Sequence, residues 1–190
     1  MQSNQFITMA SQLTKTQQEF QDTLAECRTL FAKKLHDYGP SWRILRPSSL
    51  TDQLFIKAKR IRSLEITGES LVGEGIRPEF IALINYSIVG LIQLERGLVD
   101  SVDMTADEAL ALYDRYAKQA YELMMKKNHD YGEAWRDMRT SSYTDLILTK
   151  IERIKEIENL GGATLVSEGI DSNYMDIMNY AVFGAIKLHE

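Results

Sequence analysis

Apolar side chains recur at helical spacing along most of this chain. Phe20, Leu24, Cys27 and Phe31 share one face of a 3.6-residue period, and Ala109, Tyr113, Tyr116 and Ala120 do the same in the second half. Two longer segments, FIALINYSIVGLIQL at 80–94 and YMDIMNYAVFGAIKL at 174–188, are apolar on nearly every face, as a central helix must be. No segment sustains a period-two alternation and no Asn-Gly hairpin occurs, so strands are not expected. Thr16–Glu19 and Thr105–Glu108 each fit a capping box, and Gly39 and Gly132 suit helix ends. Ser48–Asp52 and Ser141–Asp145 are rich in N-cap residues. Second helices should run to about Leu64 and Leu160, before Gly68 and Gly161-Gly162; third helices should span Pro78 to Glu95 and Ser172 to His189.

The six expected helices are two copies of one unit. KKLHDYGPSW at 33–42 and KKNHDYGEAW at 126–135 are the plainest sign, and about half of the positions from Lys33 to Glu65 recur 93 residues later. One residue is gained near Gly161, after which Asn85-Tyr86 matches Asn179-Tyr180 at a spacing of 94. The expected organisation is a flexible tail at 1–14, repeat 1 at 15–97 and repeat 2 at 98–190. The expected fold is all-α: two tandem three-helix repeats packed as a pseudo-symmetric helical bundle. The third helices take its centre, where Gly90 and Gly184 permit close approach.

Composition narrows the function. A formal net charge of −5 disfavours a broad nucleic-acid surface. The single cysteine, Cys27, and the lack of a charged-then-apolar leader point to the cytoplasm. No apolar run is long enough for a membrane span. Self-association is left open. Zinc-ligand spacing, a phosphate-binding Gly-rich loop and a nucleophile elbow are all missing from the sequence.

The candidate chemistry gathers in repeat 2. Asp176 and Asn179 share a face of an apolar helix, and a carboxylate there needs a partner such as Lys150 or Arg153, a metal or a ligand. Lys150 and Arg153, like Lys57 and Arg60, place two cations on one face, where they meet a phosphate or a carboxylate. In the turn, Asp130 and His129 offer a ligand or acid–base group, and Tyr131 and Trp135 offer stacking faces. The same residues also make sense as structural groups: a register-fixing polar pair, a solvated cationic face, a helix-end histidine. Glu74 and Glu168 precede the third helices and are further acids within reach of a site. Repeat 1 carries Ala82 where repeat 2 has Asp176, which marks Asp37, Lys57, Arg60 and Asn85 as a degenerate copy.

KKNHDYGEAW, TKIERI and SEGIDSNYMDIMNYA together resemble a family of bacteria and phages known as a domain of unknown function or as the type 1 nucleotide modification associated domain. Repeat 2 matches its motif set at Lys127, Asn128, Asp130, Tyr131, Gly132, Lys150, Arg153, Glu168, Asp176, Asn179 and Tyr180; repeat 1 departs from it at Leu35 and Ala82. The family name implies a link to nucleotides. A looser similarity connects the chain to MazG-like all-α nucleotide pyrophosphohydrolases, in which an acidic helix holds magnesium. Asp176-x-x-Asn179 would be that helix, with Glu168 as a second metal ligand, although the companion acidic helix is missing. The expected function is binding, hydrolysis or modification of a nucleotide or another phosphate-bearing small molecule. Asp176 and Asp130 are the candidate catalytic groups and magnesium the candidate cofactor. Lys127, His129, Tyr131, Lys150, Arg153, Asn179 and Tyr180 are the candidate ligand-binding groups. The alternative is a non-catalytic helical scaffold whose motif residues form a buried polar network.

Overall fold

The computed structural model describes residues 13–68, 73, 75–166 and 168–189. Six α-helices and no strand occur among them: α1 (Lys15–Tyr38), α2 (Pro47–Thr67) and α3 (Arg77–Arg96) in repeat 1, and α4 (Ala106–Tyr131), α5 (Thr140–Asn159) and α6 (Ile170–Lys187) in repeat 2. A short 3₁₀ turn links the first and second helices of each repeat, at Ser41–Ile44 and Ala134–Asp137. Most of the expected tail, and Glu74, lie outside the described residues.

Local signals set most helix ends. Thr105 and Glu108 form the expected reciprocal cap of α4. The cap of α1 differs from expectation: Thr14 and Gln17 form it, because the helix begins two residues earlier. Thr16 is thereby freed to donate its hydroxyl to Glu133 of the other repeat. The serine-rich stretches lie inside the first turns of α2 and α5, whose N-caps are Arg46 and Arg139. Gly39 and Gly132 end α1 and α4 with φ of 64° and 61°, a backbone that side-chain-bearing residues rarely adopt.

The bundle is pseudo-symmetric and interleaved. α3 and α6 pack along one another at the centre, flanked by α2 and α5, which also touch each other. The first helices cross between repeats, α1 packing on α6 as well as α3, and α4 on α3 as well as α6. One core therefore draws on all six helices. At the centre, the ring of Tyr174 lies over Gly90 and the ring of Phe80 over Gly184; a Cβ at either glycine would come within 2.8 or 2.7 Å of ring carbons. Phe80 and Tyr174 are themselves equivalent positions, so the two contacts are related by the pseudo-twofold. A second reciprocal pair joins the halves: Thr51 donates to Glu158 at 2.7 Å, and Thr144 donates to Glu65 at 2.9 Å.

Each 3₁₀ turn is pinned by an arginine. Arg43 is fully buried, binds Asp103 at 2.9 and 3.2 Å and reaches the Gly97 carbonyl at 2.9 Å. Gln93 of α3 donates to the carbonyls of Arg43 and Leu45 at 2.9 and 2.7 Å. In repeat 2 Arg136 binds Glu19, Glu133 and Thr16, and its carbonyl accepts from Lys187, the counterpart of Gln93. These contacts fix the turns that carry Trp42 and Trp135 and so shape the ground beside the candidate site.

Candidate functional site

The repeat-2 site is built on one carboxylate. Asp176 lies in the middle of α6 and is 6% exposed. Lys127, near the end of α4, donates to its Oδ1 at 2.6 Å, and Lys150 of α5 donates to its Oδ2 at 2.6 Å. Burial alone would raise the Asp176 pKa, but hydrogen bonds and charge from the two lysines hold it below the ordinary carboxylate value. Burial likewise opposes the Lys127 ammonium, and Asp176 more than offsets that effect and raises it. Asp176 therefore faces Lys150 as expected, with Lys127 rather than Arg153 as its second cation.

One turn further along α6 stands Asn179, also 6% exposed. Its Nδ2 and Oδ1 are both buried and have no hydrogen-bond partner among the described residues. The counterpart in repeat 1, Asn85, is satisfied: it donates to the Cys27 carbonyl at 3.3 Å and accepts from the Tyr113 hydroxyl at 2.8 Å. Position 20 corresponds to Tyr113 and holds Phe, so repeat 2 lacks that hydroxyl. Tyr180 is half-buried, and burial followed by the charge of Asp176 raises its pKa.

Repeat 1 keeps a buried acid at a different place. Glu79, one turn before Ala82 on α3, is 4% exposed. Its Oε2 lies 3.2 Å from Lys57 Nζ, and its Oε1 accepts from Arg60. Repeat 2 has Asn173 at the matching position, where the amide donates to the Gly169 carbonyl at 2.8 Å. Sequence reasoning missed Glu79. The signal was the survival of Lys57 and Arg60 beside Ala82, because two cations facing an apolar helix require an acid within a turn of the lost one.

Other expected site residues stand apart from Asp176. His129 and Asp130 pair with each other at 3.1 Å with side chains 88% and 76% exposed, and His36 and Asp37 do the same in repeat 1. Tyr131 is exposed as well. Arg153 and Glu168 line an adjacent open groove of about 1,040 Å³ beside Asn173. Arg153 makes no ion pair among the described residues. The donor set does not fit a magnesium ion held by protein carboxylates. Both Asp176 oxygens are taken by ammonium groups, Glu168 is exposed, and no three His, Cys, Asp or Glu side chains converge among the described residues. Burial pushes the Cys27 thiol up to about 12, which leaves it a core side chain rather than a nucleophile.

The geometry belongs to a duplicated all-α unit with a lysine–aspartate–lysine cluster in its second copy. The chain belongs to the nucleotide modification associated domain 1 family, whose model matches it twice, at residues 34–94 and 127–188. One match falls in each repeat, reaching from the end of its first helix to the end of its third. No curated protein and no solved structure matches the chain. Among the described residues no helix is long and apolar enough to cross a membrane.

Proposed function

We propose that this protein binds a nucleotide or a closely related phosphate-bearing small molecule on the polar face of repeat 2. The observation that carries the reading is Asn179. An amide whose donor and acceptor are both buried and unpaired costs about 1–3 kcal/mol, and a ligand able to give and take a hydrogen bond offsets that cost. A base edge or sugar hydroxyl does both. The Lys127 side chain, half in water, supplies the charge for a phosphate, and Arg153 supplies a second from the neighbouring groove. Tyr180, one turn beyond Asp176 on α6, and the exposed Tyr131 at the end of α4 give aromatic surface near one another. The depressed Asp176 carboxyl is a weak base, so its best role is to hold the lysines in place. Binding is therefore favoured over acid–base chemistry. Any magnesium would arrive coordinated by the phosphates of the ligand.

The scaffold reading is favoured by a specific observation too, since Lys127, Lys150 and Asp176 satisfy one another. Thermal-shift measurements over nucleoside mono- and triphosphates, with and without magnesium, separate the two. Binding predicts a raised Tm for at least one class, lost in a folded Asn179→Ala variant. A flat response over the whole panel contradicts it and leaves the scaffold.

A further inference from the structure

We infer that repeat 1, the degenerate copy by sequence, holds a separate ligand pocket for a small molecule that carries an anionic group on a flat ring. A cavity of about 610 Å³ lies between α1, α2, α3 and the first 3₁₀ turn. That size is typical of small-molecule sites, roughly 300–1,000 Å³. It exists because repeat 1 has the smaller residue at two matched positions. Ala82 replaces Asp176, and Val89 replaces Phe183, whose ring stacks on Trp135 with centroids 4.5 Å apart.

The groups left without partners define the ligand. Lys34, the counterpart of Lys127, lines the cavity and makes no ion pair or hydrogen bond among the described residues, because the carboxylate that engages Lys127 is replaced here by Ala82. Lys57, which also lines it, is held by Glu79. The buried Nε1 of Trp42 has no hydrogen-bond partner among the described residues, and an indole N–H can only donate. Asn85 is already satisfied by Tyr113 and Cys27. Glu79 also lines the cavity, but Lys57 and Arg60 balance its charge, so the unbalanced charge is the Lys34 cation and the spare donor is the Trp42 N–H; both call for an acceptor-rich, anionic headgroup. Phe31, Trp42 and Tyr86 supply aromatic wall, which suits a planar ring. A nucleoside monophosphate has this shape and charge.

The pocket is independent of the repeat-2 reading, and one set of titrations keeps the two apart. The 2′-deoxynucleoside 5′-monophosphates are titrated one at a time into the full chain by calorimetry, with the free nucleosides and inorganic phosphate as comparisons. At least one monophosphate is expected to bind this pocket. Lys34→Ala, an exposed position with little bearing on folding, should weaken it tenfold or more. Val89→Phe and Ala82→Asp, which copy the repeat-2 residues into the cavity, should abolish it. In chains carrying Asn179→Ala or Lys150→Met, which remove any repeat-2 contribution, the Lys34-dependent binding should persist. Circular dichroism checks that each variant is folded, and Lys34→Ala decides the matter if the cavity-filling variants are not. The inference is overturned if no monophosphate binds, if inorganic phosphate binds as tightly as the monophosphates, or if binding is lost only in the repeat-2 variants.

Discussion

The two repeats solve one electrostatic problem in two ways. Each places a lysine at the end of its first helix and a lysine and an arginine on its second, facing an apolar third helix. In repeat 1 the balancing acid is Glu79, which takes Lys57 and Arg60 and leaves Lys34 unengaged. In repeat 2 it is Asp176, one turn later, which takes Lys150 and Lys127 and leaves Arg153 without an ion pair among the described residues. A shift of one helical turn, with the longer side chain at the earlier position, keeps one cation paired in both copies and changes which second cation is spare. The lesson is that a lost motif residue need not mean a lost site. The charge balance survived, and the space vacated at Ala82 became part of a cavity.

Breaking either acid should produce the largest effects. Glu79→Gln leaves two cations facing a buried amide and is expected to cost about 3 kcal/mol, at the low end for a broken buried pair. Asp176→Asn should cost less, about 2 kcal/mol, because Lys127 is half in water and solvent screens its charge. Denaturant melts of the two variants would show this order. The Asp176 contribution also has a pH signature. Its folded pKa lies below the ordinary 3.8, so the stabilisation is complete above that value and is lost as pH falls through the folded one. The difference in stability between wild type and Asp176→Asn should therefore be flat near neutrality and shrink only in strong acid.

The central glycines test the symmetry itself. Gly90→Ala and Gly184→Ala each drive a Cβ into a buried ring, and overpacking of this kind costs about 1–3 kcal/mol. The two values should agree closely, since the contacts are pseudo-twofold mates; a cost at one glycine alone would break the equivalence. Next in size is the asparagine pair. Tyr113→Phe orphans the Asn85 acceptor and should destabilise by about 1–2 kcal/mol. The mirror change, Phe20→Tyr, offers Asn179 the hydroxyl it lacks and should raise Tm slightly while competing with ligand at repeat 2. A destabilised Phe20→Tyr chain would show that the Asn179 site is not the mate of Asn85.

The smallest effect concerns the reciprocal threonine–glutamate bonds. Burial raises Glu65 and Glu158 above the ordinary 4.5, against the hydrogen bonds from Thr144 and Thr51. A raised folded pKa means that these carboxyls favour the fold when protonated, and that this preference is lost as pH rises through the folded value. Glu65→Gln and Glu158→Gln keep the acceptor and remove the charge. Each should stabilise by less than about 1 kcal/mol at neutral pH, with the gain vanishing once pH falls below the ordinary carboxyl value of 4.5.

Much of the fold was legible because its signals are local or periodic. Helical spacing, capping residues and glycine stops locate six helices, and the duplication pairs them. Near-total apolarity puts α3 and α6 at the centre. The interleaving of α1 and α4 was not legible, because Phe20 and Tyr113 look like ordinary core residues whichever third helix they meet. The same holds for the cap of α1, where Thr14-Gln17 and Thr16-Glu19 compete on equal terms. Within the site, the buried Asp176 and its lysine partner follow from the cost of an unpaired carboxylate. The exposure of His129 and Asp130 does not, since a turn motif reads the same whether it faces a pocket or water. Glu79 was hidden by alignment: comparing equal positions shows a loss at Ala82, whereas the chemistry had moved along the helix.

The claim that the acid has moved by one turn is tested most directly by a double-mutant cycle in repeat 1. Glu79→Asn and Ala82→Asp, made singly and together, write the repeat-2 arrangement into repeat 1, and equilibrium denaturation gives the four stabilities. The account predicts that Glu79→Asn alone is strongly destabilising and that adding Ala82→Asp restores much of the loss. The coupling should favour the double variant by about 1–3 kcal/mol. Simple additivity, with Asp at position 82 giving no rescue of Asn at 79, would contradict it.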